Sequence, residues 1–503
     1  MIDIKPGIFN ISKRYLRSTW LERDWHDVNA LQNYIVTTQA KDSLALLAEG
    51  FNPGSGLRAW RITGDYGTGK SSFGLLIANL FSARRTMLAG SVLDKIPQKL
   101  LDNLNQNSQY LLPVLVTGSK EPIGVAVIRG VLKLMAEKSV DVNQFPQIAQ
   151  WEKFISDGNV KDIEVVAIIE DAKKYIVDNN LGSGVVLLLD EAGKFLEYTV
   201  YHPSRQDIYL LQMLAEASAR SGANPLFVFV LLHQGISAYA ESLPQVQQRE
   251  WEKVAGRFEE IIWHQPTDQT VELIANALDL QEAAINPDLL SEAEKVMKEG
   301  IKYGWYGPSP SIGLLQNFAR KIFPLHPTVI PPLVRLFAQF GQNERSLFAF
   351  LLGNEPFGLL DFIDKTDGTQ FFRLNNLYDY ARAVFPFQLK TKGSGNKWNW
   401  IEQRIIDYST DNTVETDILK TMGLLNMLNS DDMLATKAII HLAMDHKEDI
   451  ETALLKLMSM KAVHILGYNN GYSVLSGSTI DLGEKFLLAE KAVSPVRQVI
   501  PII

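Results

Sequence analysis

The chain of 503 residues contains no cysteine. Disulfides, cysteine-ligated zinc, iron–sulfur clusters and thiol nucleophiles are therefore excluded as the basis of its function. A chain without cysteine is typical of a reducing compartment, and its first ten residues, MIDIKPGIFN, lack the basic and apolar segments of an export signal. We expect a cytoplasmic protein.

Long apolar runs and an excess of positive charge are also missing. The longest apolar stretches, such as 185–189 and 225–232, are far shorter than the ~20 residues of a membrane-spanning helix. We therefore expect no membrane partner. The 49 lysines and arginines against 57 acidic residues give a net charge of −8. Any contact with DNA then has to come from a local patch of positive charge.

In the first half of the chain, apolar strand-like runs alternate with helical patterns. Short apolar runs predict strands at 59–63, 111–117, 185–189, 226–232 and 260–263. Helical patterns lie between them at 72–81, 124–138 and 208–220, with inserted helices around 143–170. Because such alternation forms parallel sheets covered on both faces, residues 30–265 are predicted to form a three-layer α/β domain after an N-terminal segment, 1–29.

After residue 263 the pattern predicts helices only, at 267–278, 289–299, 312–322 and 333–340. The four prolines 324, 327, 331 and 332 predict a joint before the last of these helices. We expect a helical lid over 266–355 and a helical connector over 356–397. The glycine and serine residues at 393–395 predict a flexible joint at the end of the connector.

The C-terminal part has the pattern of a winged helix. Helices at 416–428, 435–444 and 449–465 precede GYNNGYSVL, in which Asn470 and Gly471 favour a tight hairpin turn, so the domain is predicted over 398–480. Its third predicted helix sets Lys456, Lys461 and His464 against acidic residues. Since duplex binding rests on several phosphate contacts, a packing role and a DNA-binding role both stay open. The apolar tail, 481–503, suggests that the chain continues in a longer protein.

A glycine-rich loop after the first predicted strand carries the strongest chemical signal. The sequence GDYGTGKS at 64–71 fits the phosphate-loop pattern, in which glycines let backbone N–H groups converge on phosphate oxygens at a helix N-terminus. Lys70 is predicted to reach the β and γ phosphates, and Ser71 to ligate magnesium. The predicted nucleotide-binding residues are Gly64, Asp65, Tyr66, Gly67, Thr68, Gly69, Lys70, Ser71 and Ser72.

Two acidic residues follow the buried strand GVVLLL at 184–189. Ligand sites of open α/β sheets lie at the carboxyl ends of strands, so Asp190 is predicted to hold magnesium together with Ser71. Glu191 is predicted to polarise the water that attacks the γ phosphate. An acidic helix cap is the alternative interpretation. Together the motifs predict ATP and Mg²⁺ as cofactors and favour hydrolysis over transfer to another acceptor.

Two further positions complete the predicted catalytic set. The strand at 226–232 ends in His233 and Gln234, either of which could sense the γ phosphate; we favour His233, with a capping histidine as the alternative. Arg257, in VAGRFEE just before the last predicted strand, is a candidate arginine finger for a neighbouring subunit. A surface salt bridge is the alternative for Arg257, and Arg249 and Arg220 are less well placed candidates.

The order of these motifs, followed by helices, resembles the AAA+ ATPases, including the initiator branch that carries a winged helix after its lid. GRFEE is similar to the GRFD box of that family. The resemblance implies a parallel sheet of order 5-1-4-3-2, a nucleotide between sheet domain and lid, and ring or filament assembly. It also implies a lid arginine, for which Arg345 and Arg335 are both candidates. Residues 34–36 could pack on the base, with simple core packing as the alternative.

A narrower resemblance rests on ITGDYGTGKSSF, LLLDEAGKFLEY, LLHQGISAYA, REWEKVAGRFEE and NERSLFAFL. These stretches look like the large ATPases of BREX-type bacterial phage-defence loci. The resemblance implies ATP-driven action in anti-phage defence, on double-stranded DNA or a partner complex, beside other proteins of the locus. The alternative is a nucleotide-gated switch or scaffold of the STAND type with slow turnover. A small-molecule kinase fits the paired acids poorly.

Overall fold

The computed structural model describes residues 9, 19–32, 34–52, 54–65, 67–106, 110–158, 160–202, 208–264, 266–341, 347–366, 368–386, 389, 395–408, 413–428, 433–445, 449–466 and 471–474. The chain divides into two compact units. One comprises Lys13–Leu273 and Gly341–Ser346, and the other comprises Met1–Ser12, Ile274–Phe340 and Leu347–Ile503. Within the described ranges, no helix has both the length and the apolar character needed to cross a membrane.

A parallel sheet of five strands organises the first unit. The strands are β1 (Ala59–Thr63), β2 (Leu111–Thr117), β3 (Gly184–Asp190), β4 (Leu226–Leu232) and β5 (Glu259–Ile262). Their spatial order is β2-β3-β4-β1-β5, and every neighbouring pair is parallel. The α/β fold class is confirmed, and the strand order is the 5-1-4-3-2 order that the AAA+ resemblance implies. Observed strand bounds differ from the predicted ones by one residue at most.

Helices surround this sheet. They are α1 (Leu21–Asp24), α2 (Thr38–Leu47), α3 (Lys70–Phe81), α4 (Gly90–Leu93), α5 (Gln98–Gln106), α6 (Ile123–Glu137), α7 (Gln147–Asp157), α8 (Asp162–Asp178), α9 (Gly193–Tyr201), α10 (Ile208–Ala219), α11 (Ile236–Tyr239) and α12 (Gln245–Ala255). The helix after the glycine loop, α3, begins two residues before its predicted start. The helices inserted between β2 and β3, predicted around 143–170, are α7 and α8.

The central strands are buried on both faces, which explains their continuous apolar sequences. Every residue of β3 and of β4 is buried. Leu187, Val228 and Val230 pack in one core cluster with residues of α6, α8 and α10. Alternate residues such as Leu188 and Leu231 pack in a second cluster with residues of α2 and α3. Since successive side chains point to opposite faces of a sheet, the two clusters are its two faces, and the unit has three layers.

The remaining helices are α13 (Thr267–Leu278), α14 (Pro287–Lys302), α15 (Ile312–Phe318), α16 (Ile330–Phe340), α17 (Leu347–Leu352), α18 (Leu359–Thr366), α19 (Leu374–Val384), α20 (Gly395–Tyr408), α21 (Thr413–Leu428), α22 (Lys437–Ala443) and α23 (Ile450–Ser459). An antiparallel pair follows, β6 (Val463–Ile465) and β7 (Tyr472–Val474). The predicted subdivision of this part into lid, connector and winged helix stays a prediction. Gly393, Ser394, Asn470 and the tail 481–503 lie outside the described residues.

Two of the four prolines that predicted a joint lie buried at the start of a helix. Pro327 begins a short 3₁₀ turn, and Pro331 and Pro332 occupy the first turn of α16. The first turn of a helix tolerates proline because the missing N–H has no partner within the helix at that position. The helix therefore starts three residues before its predicted start, whereas Pro324 and Pro327 lie in the connection between α15 and α16.

The last predicted helix, 449–465, is wrong in its last six residues. The helix α23 ends at Ser459, and Lys461 adopts a positive φ of 56° before the chain enters β6. His464 therefore lies on a strand and not on the helix that carries Lys456. Lys456 itself pairs with Glu415, whose side chain is buried. Lys456, Lys461 and His464, predicted on a single helix, are thus divided between a helix, a turn and a strand.

The two-face core predicts a contrast between two leucine substitutions in the same unit. Leu231 on β4 is 0% exposed, whereas Leu46 on α2 is 53% exposed. Leu231→Ala removes buried methyl groups between sheet and α3 and should lower the free energy of unfolding by about 2 to 5 kcal/mol. Leu46→Ala should change it by less than about 0.5 kcal/mol. Urea and thermal denaturation measure both, and equal effects would contradict the assigned packing.

Candidate functional site

The glycine loop leaves β1 at the carboxyl edge of the sheet. The N–H of Gly64 donates to the carbonyl of Leu232, so the loop is tied to the end of β4. A Cβ on Gly64 would lie 2.1 Å from the carbonyl oxygen of Trp263, and this close approach requires glycine. Gly69 precedes α3 with a φ of 91°, a conformation that favours glycine. Among the other loop residues, Thr68 donates to the carbonyl of Asp65.

Lys70 lies at the first position of α3 and turns back over the loop. Its Nζ donates to the carbonyl oxygens of Gly64 and Asp65, at 2.6 Å each. Burial lowers the pKa of Lys70 to about 8, against the attraction of Asp190, Asp65 and Glu191. A desolvated ammonium held only by carbonyl groups is a strong site for an anion. The position of Lys70 is the one predicted for contact with phosphate.

Ser71 and Asp190, predicted from separate motifs, meet in the structure. The Ser71 hydroxyl hydrogen-bonds to the Asp190 carboxylate, which is 3% exposed at the end of β3. Burial raises the pKa of Asp190 to about 6, and the repulsion of Glu191 adds to this effect. The bonds from Ser71 and from the Glu191 N–H and the attraction of Lys70 oppose it. Hydroxyl and carboxylate oxygens are ligands that Mg²⁺ takes in proteins.

Glu191 follows directly, in a backbone conformation that is rare for a side chain of its size. Its φ is 47°, and its N–H donates to Asp190 Oδ1 at 2.9 Å. A Cβ on Gly118 would lie 2.1 Å from the Glu191 carbonyl oxygen, so the end of β2 presses on this turn. The Glu191 side chain is 44% exposed and forms an ion pair with Lys194 of α9. Sequence reasoning did not identify Lys194.

The structure separates the two candidate sensors at the end of β4. His233 is half-buried, whereas Gln234 is exposed. Burial lowers the pKa of His233, as does the positive charge of Lys70, against the attraction of Glu197 and Glu191. The imidazole therefore lies in the electrostatic field of the loop lysine and the predicted catalytic glutamate. Its hydroxyl partner is Tyr239, at 2.9 Å from Nδ1, and sequence reasoning did not identify that residue.

Residues before α1 contribute to the same edge of the sheet. The hydroxyls of Thr19 and Ser72 lie 2.7 Å apart, so Ser72, predicted to bind nucleotide, has a partner within the chain. The Trp20 indole donates to Thr117 Oγ1 at the end of β2, and the Thr117 N–H donates to Glu22. The N-terminal segment was not predicted to reach the site because it is too short to show a periodic pattern. Its aromatic and acidic cluster, TWLERDW, was the available signal.

Trp263 is a second contributor that sequence reasoning missed. Its indole N–H donates to the carbonyl of Thr68 at 2.9 Å, and its ring stacks on Phe73 of α3 with 4.2 Å between centroids. The residue thus braces the glycine loop from the side of β5. A lone tryptophan at the end of an edge strand carries no motif that would have revealed this role.

Arg257 lies on the surface, at the edge of the sheet opposite the glycine loop. It precedes β5, whose first residue, Glu259, pairs with Trp60 near the start of β1. The loop follows Thr63, three residues further along β1, a rise of about 10 Å. The Arg257 guanidinium is 54% exposed and lies 3.8 Å from Glu216. Arg220 also pairs with Glu216, at 3.6 Å, and Arg249 is exposed.

The remaining predicted site residues are Tyr66, the two candidates for the lid arginine and the residues at 34–36. Tyr66 and Arg345 lie outside the described residues. Arg335 on α16 donates to the carbonyl of Leu428 in its own unit. Val36 is buried in the second core cluster, and Tyr34 packs against it partly buried. The roles predicted for the lid arginine and for base packing stay predictions.

No protein-family model matches the chain, and no curated protein matches it. Solved structures with a related arrangement include the ORC2 protein of Aeropyrum pernix in ADPNP–ADP complexes, with a TM-score of 0.40 and 10% sequence identity. The ADP form of that protein gives a TM-score of 0.40 and 9% identity. Both comparisons cover 97% of this chain and 100% of the other. A likeness of this size does not establish a function.

The raised pKa of Asp190 predicts that its ionised carboxylate lowers the free energy of unfolding. The Asp190 carboxyl has a pKa of about 6 in the folded chain, against the ordinary value of 3.8 that we expect in the unfolded chain. The free energy of unfolding therefore falls as the pH rises from 3.8 to 6, and the full loss of stability is present above pH 6. Asp190→Asn should therefore raise the free energy of unfolding at pH 7, by up to about 3 kcal/mol. The gain should shrink toward pH 4. Thermal denaturation across this range measures it, and a gain that is independent of pH would contradict the prediction.

Proposed function

We propose that this protein binds ATP with Mg²⁺ and hydrolyses it. The observation that carries the proposal is the meeting of Lys70, Ser71 and Asp190 at the carboxyl edge of the sheet, from two motifs more than a hundred residues apart. A desolvated ammonium and a buried carboxylate with a hydroxyl form complementary sites for a phosphate chain and for a divalent cation. The open backbone around Gly69 leaves room for phosphate at the N-terminus of α3.

The residues present fit a magnesium ion. Ser71 and Asp190 supply one neutral and one anionic oxygen, and Mg²⁺ in nucleotide sites takes few protein ligands because phosphates and waters complete its shell. When bound, the ion would polarise the phosphoryl group and neutralise developing charge. Asp190 would hold the ion and Lys70 would bind the phosphate oxygens. Glu191, adjacent to both, would accept the proton of the attacking water.

A nucleotide-gated switch with slow turnover is the second candidate function, and one observation favours it. The Glu191 carboxylate forms an ion pair with Lys194. A carboxylate that is held by an ammonium has to leave that ion pair before it can contact a water molecule. Turnover would then wait for a conformational change that separates the pair, whereas binding through Lys70, Ser71 and Asp190 would not.

We infer that hydrolysis takes place in an assembly of identical chains. Arg257 lies at the opposite edge of the sheet from its own loop, so it can reach a phosphate only in another copy. Its single described ion pair, with Glu216, is long and largely exposed, and such pairs contribute little energy. The arginine is therefore available to a neighbouring subunit.

The cellular role that we propose is anti-phage defence in the cytoplasm, with double-stranded DNA or a complex of other defence-locus proteins as the target. This part of the proposal is supported by the stretches of sequence that resemble the ATPases of BREX-type loci. DNA would be contacted through a local patch, since the net charge is −8.

Loss of the proposed general base predicts a clear separation of binding from hydrolysis. Glu191→Gln should lower phosphate release from ATP by about 100-fold or more while the Kd for ATP changes little, because the carboxamide cannot accept the proton. Glu252→Gln, at an exposed position of α12, is the matched control. ATP binding without phosphate release by the unaltered protein would support the switch instead.

An arginine supplied by a second copy predicts turnover per chain that rises with protein concentration. Arg257→Ala should abolish this rise and lower phosphate release by about a thousandfold. Arg249→Ala, a change of another exposed arginine, should leave it intact. Mixing Arg257→Ala with Glu191→Gln should restore activity, since one variant keeps its site and the other keeps its finger. Normal hydrolysis by Arg257→Ala alone would exclude the role.

A further inference from the structure

Arg61 lies on β1, three residues before Gly64 of the glycine loop, and directly beside Glu260 of β5 in the parallel register. Its guanidinium Nη1 donates to the carbonyl oxygen of Ala255 at 3.0 Å, and its Nη2 donates to Glu260 Oε2 at 2.8 Å. Ala255 ends α12, Glu260 lies on β5, and Arg257 lies in the short connection between them. One side chain of β1 therefore holds both ends of the turn that carries the proposed arginine finger.

The Glu260 carboxylate is bonded through both of its oxygens. Oε1 accepts a hydrogen bond from the Thr63 hydroxyl at 2.9 Å, and Oε2 accepts the one from Arg61. Burial alone would raise the pKa of Glu260, but the hydrogen bonds from Arg61 and Thr63 and the charge of Arg61 lower it. The Arg61 side chain is only 19% exposed. Charge-assisted hydrogen bonds that are shielded from water in this way are stronger and more directional than those of an exposed ion pair.

The backbone of the turn is also fixed from within. The N–H of Arg257 donates to the carbonyl of Val254 at 3.0 Å, and the N–H of Phe258 donates to the carbonyl of Ala255 at 3.2 Å. The Phe258 side chain is buried in the core cluster that contains Val254. The Arg257 side chain, by contrast, is 54% exposed, so the fixed turn presents it to solvent.

An arginine that acts in another chain depends on such a support. A misplacement of about 1 Å in a catalytic group costs on the order of a hundredfold in rate. The chain that receives Arg257 holds only the end of its side chain. The position and direction from which the side chain starts therefore have to be set by the chain to which it belongs.

We propose that Arg61 is a positioning residue for Arg257: by binding Ala255 and Glu260 to β1, it fixes the turn from which Arg257 enters the site of a neighbouring chain. The inference rests on the proposed function, in which Arg257 is an arginine finger. Arg61 itself touches no reacting atom. It lies on the strand that leads to its own glycine loop, yet its effect on hydrolysis falls on the site of another chain.

The first test uses no nucleotide. Arg61→Met keeps the apolar part of the side chain and removes the guanidinium. In hydrogen–deuterium exchange, the amides of residues 256–260 should then exchange about tenfold faster, the effect expected for the loss of one hydrogen bond to a charged group. Peptides that cover residues 64–72 of the glycine loop should exchange as before. Unchanged exchange at 256–260 would overturn the proposal.

Lys173→Met is the matched control for this experiment. It removes an ion pair with Glu170 on α8, formed by a lysine side chain that is 8% exposed in the same unit. Exchange at 256–260 should not respond to it. If exchange there rose as much as in Arg61→Met, the effect would be a general loss of stability, and the positioning role would fall.

The second test measures phosphate release by mixtures of variants. Arg61→Met alone should lower kcat about a hundredfold while the Kd for ATP changes little, because its own binding site is intact. Mixing it with Glu191→Gln should restore activity, since that partner supplies a well-placed Arg257 to the intact site. Mixing it with Arg257→Ala should not, since neither chain then supplies an effective finger.

Any other pattern overturns the proposal. Restoration by Arg257→Ala but not by Glu191→Gln would show that Arg61 acts on its own glycine loop. Restoration by neither partner would show general damage to the chain. Restoration by both, or full activity of Arg61→Met alone, would show that Arg257 is well placed without Arg61.

The two tests separate this inference from the proposed function. If the unaltered protein releases no phosphate, the hydrolase proposal fails, and the exchange experiment alone decides whether Arg61 fixes the turn that carries Arg257. If phosphate is released and neither the turn nor the mixtures respond to Arg61→Met as expected, the hydrolase stands and the positioning role falls.

Discussion

The burial of two opposite charges, Lys70 and Asp190, at one edge of the sheet is the interaction on which the site depends. Desolvation favours the neutral form of each group, so the pKa of Lys70 falls to about 8 and the pKa of Asp190 rises to about 6. Neither charge is fully compensated by the other, since Lys70 bonds two backbone carbonyls and Asp190 bonds Ser71. The folded chain therefore carries an electrostatic cost that an anion at Lys70 and a cation at Asp190 would relieve. The loss of folding stability and the affinity expected for these two ions have the same physical origin, the desolvation of Lys70 and Asp190.

The parallel sheet makes this arrangement possible. All five strands deliver their following residues to one edge, so motifs far apart in sequence meet without a special contact between them. The crowding at that edge then selects glycine where two backbones touch: Gly64 against Trp263, and Gly118 against Glu191. The rigid centre of the sheet, β3 and β4, is buried throughout, and it fixes the positions from which Asp190 and His233 project.

The predictable parts of this structure are those encoded by local pattern. Apolar runs predicted all five strands, and the loop and acidic motifs predicted that Ser71 and Asp190 belong to one site. Thr19, Trp263 and Tyr239 could not be predicted, because each reaches the site through tertiary packing and none belongs to a motif. The last helix was extended too far for a related reason. Apolar spacing continues through β6, and only the left-handed turn at Lys461 interrupts it.

The proposed binding and the proposed hydrolysis depend on different kinds of structure. Lys70, Ser71 and Asp190 lie on the first turn of α3 and at the end of a buried strand, so the backbone positions of all three are fixed by regular secondary structure. The Glu191 side chain is half-exposed and paired with Lys194, and Arg257 is exposed at the far edge of the sheet. The described ion pairs of these two side chains are of a kind that contributes little energy. In such a site the residues proposed to bind the nucleotide keep a fixed geometry. The rate of turnover could then be controlled through Glu191 and Arg257. The proposed hydrolase and the proposed switch would therefore share one binding site. They would differ in how readily Glu191 leaves its ion pair with Lys194 and Arg257 leaves its ion pair with Glu216.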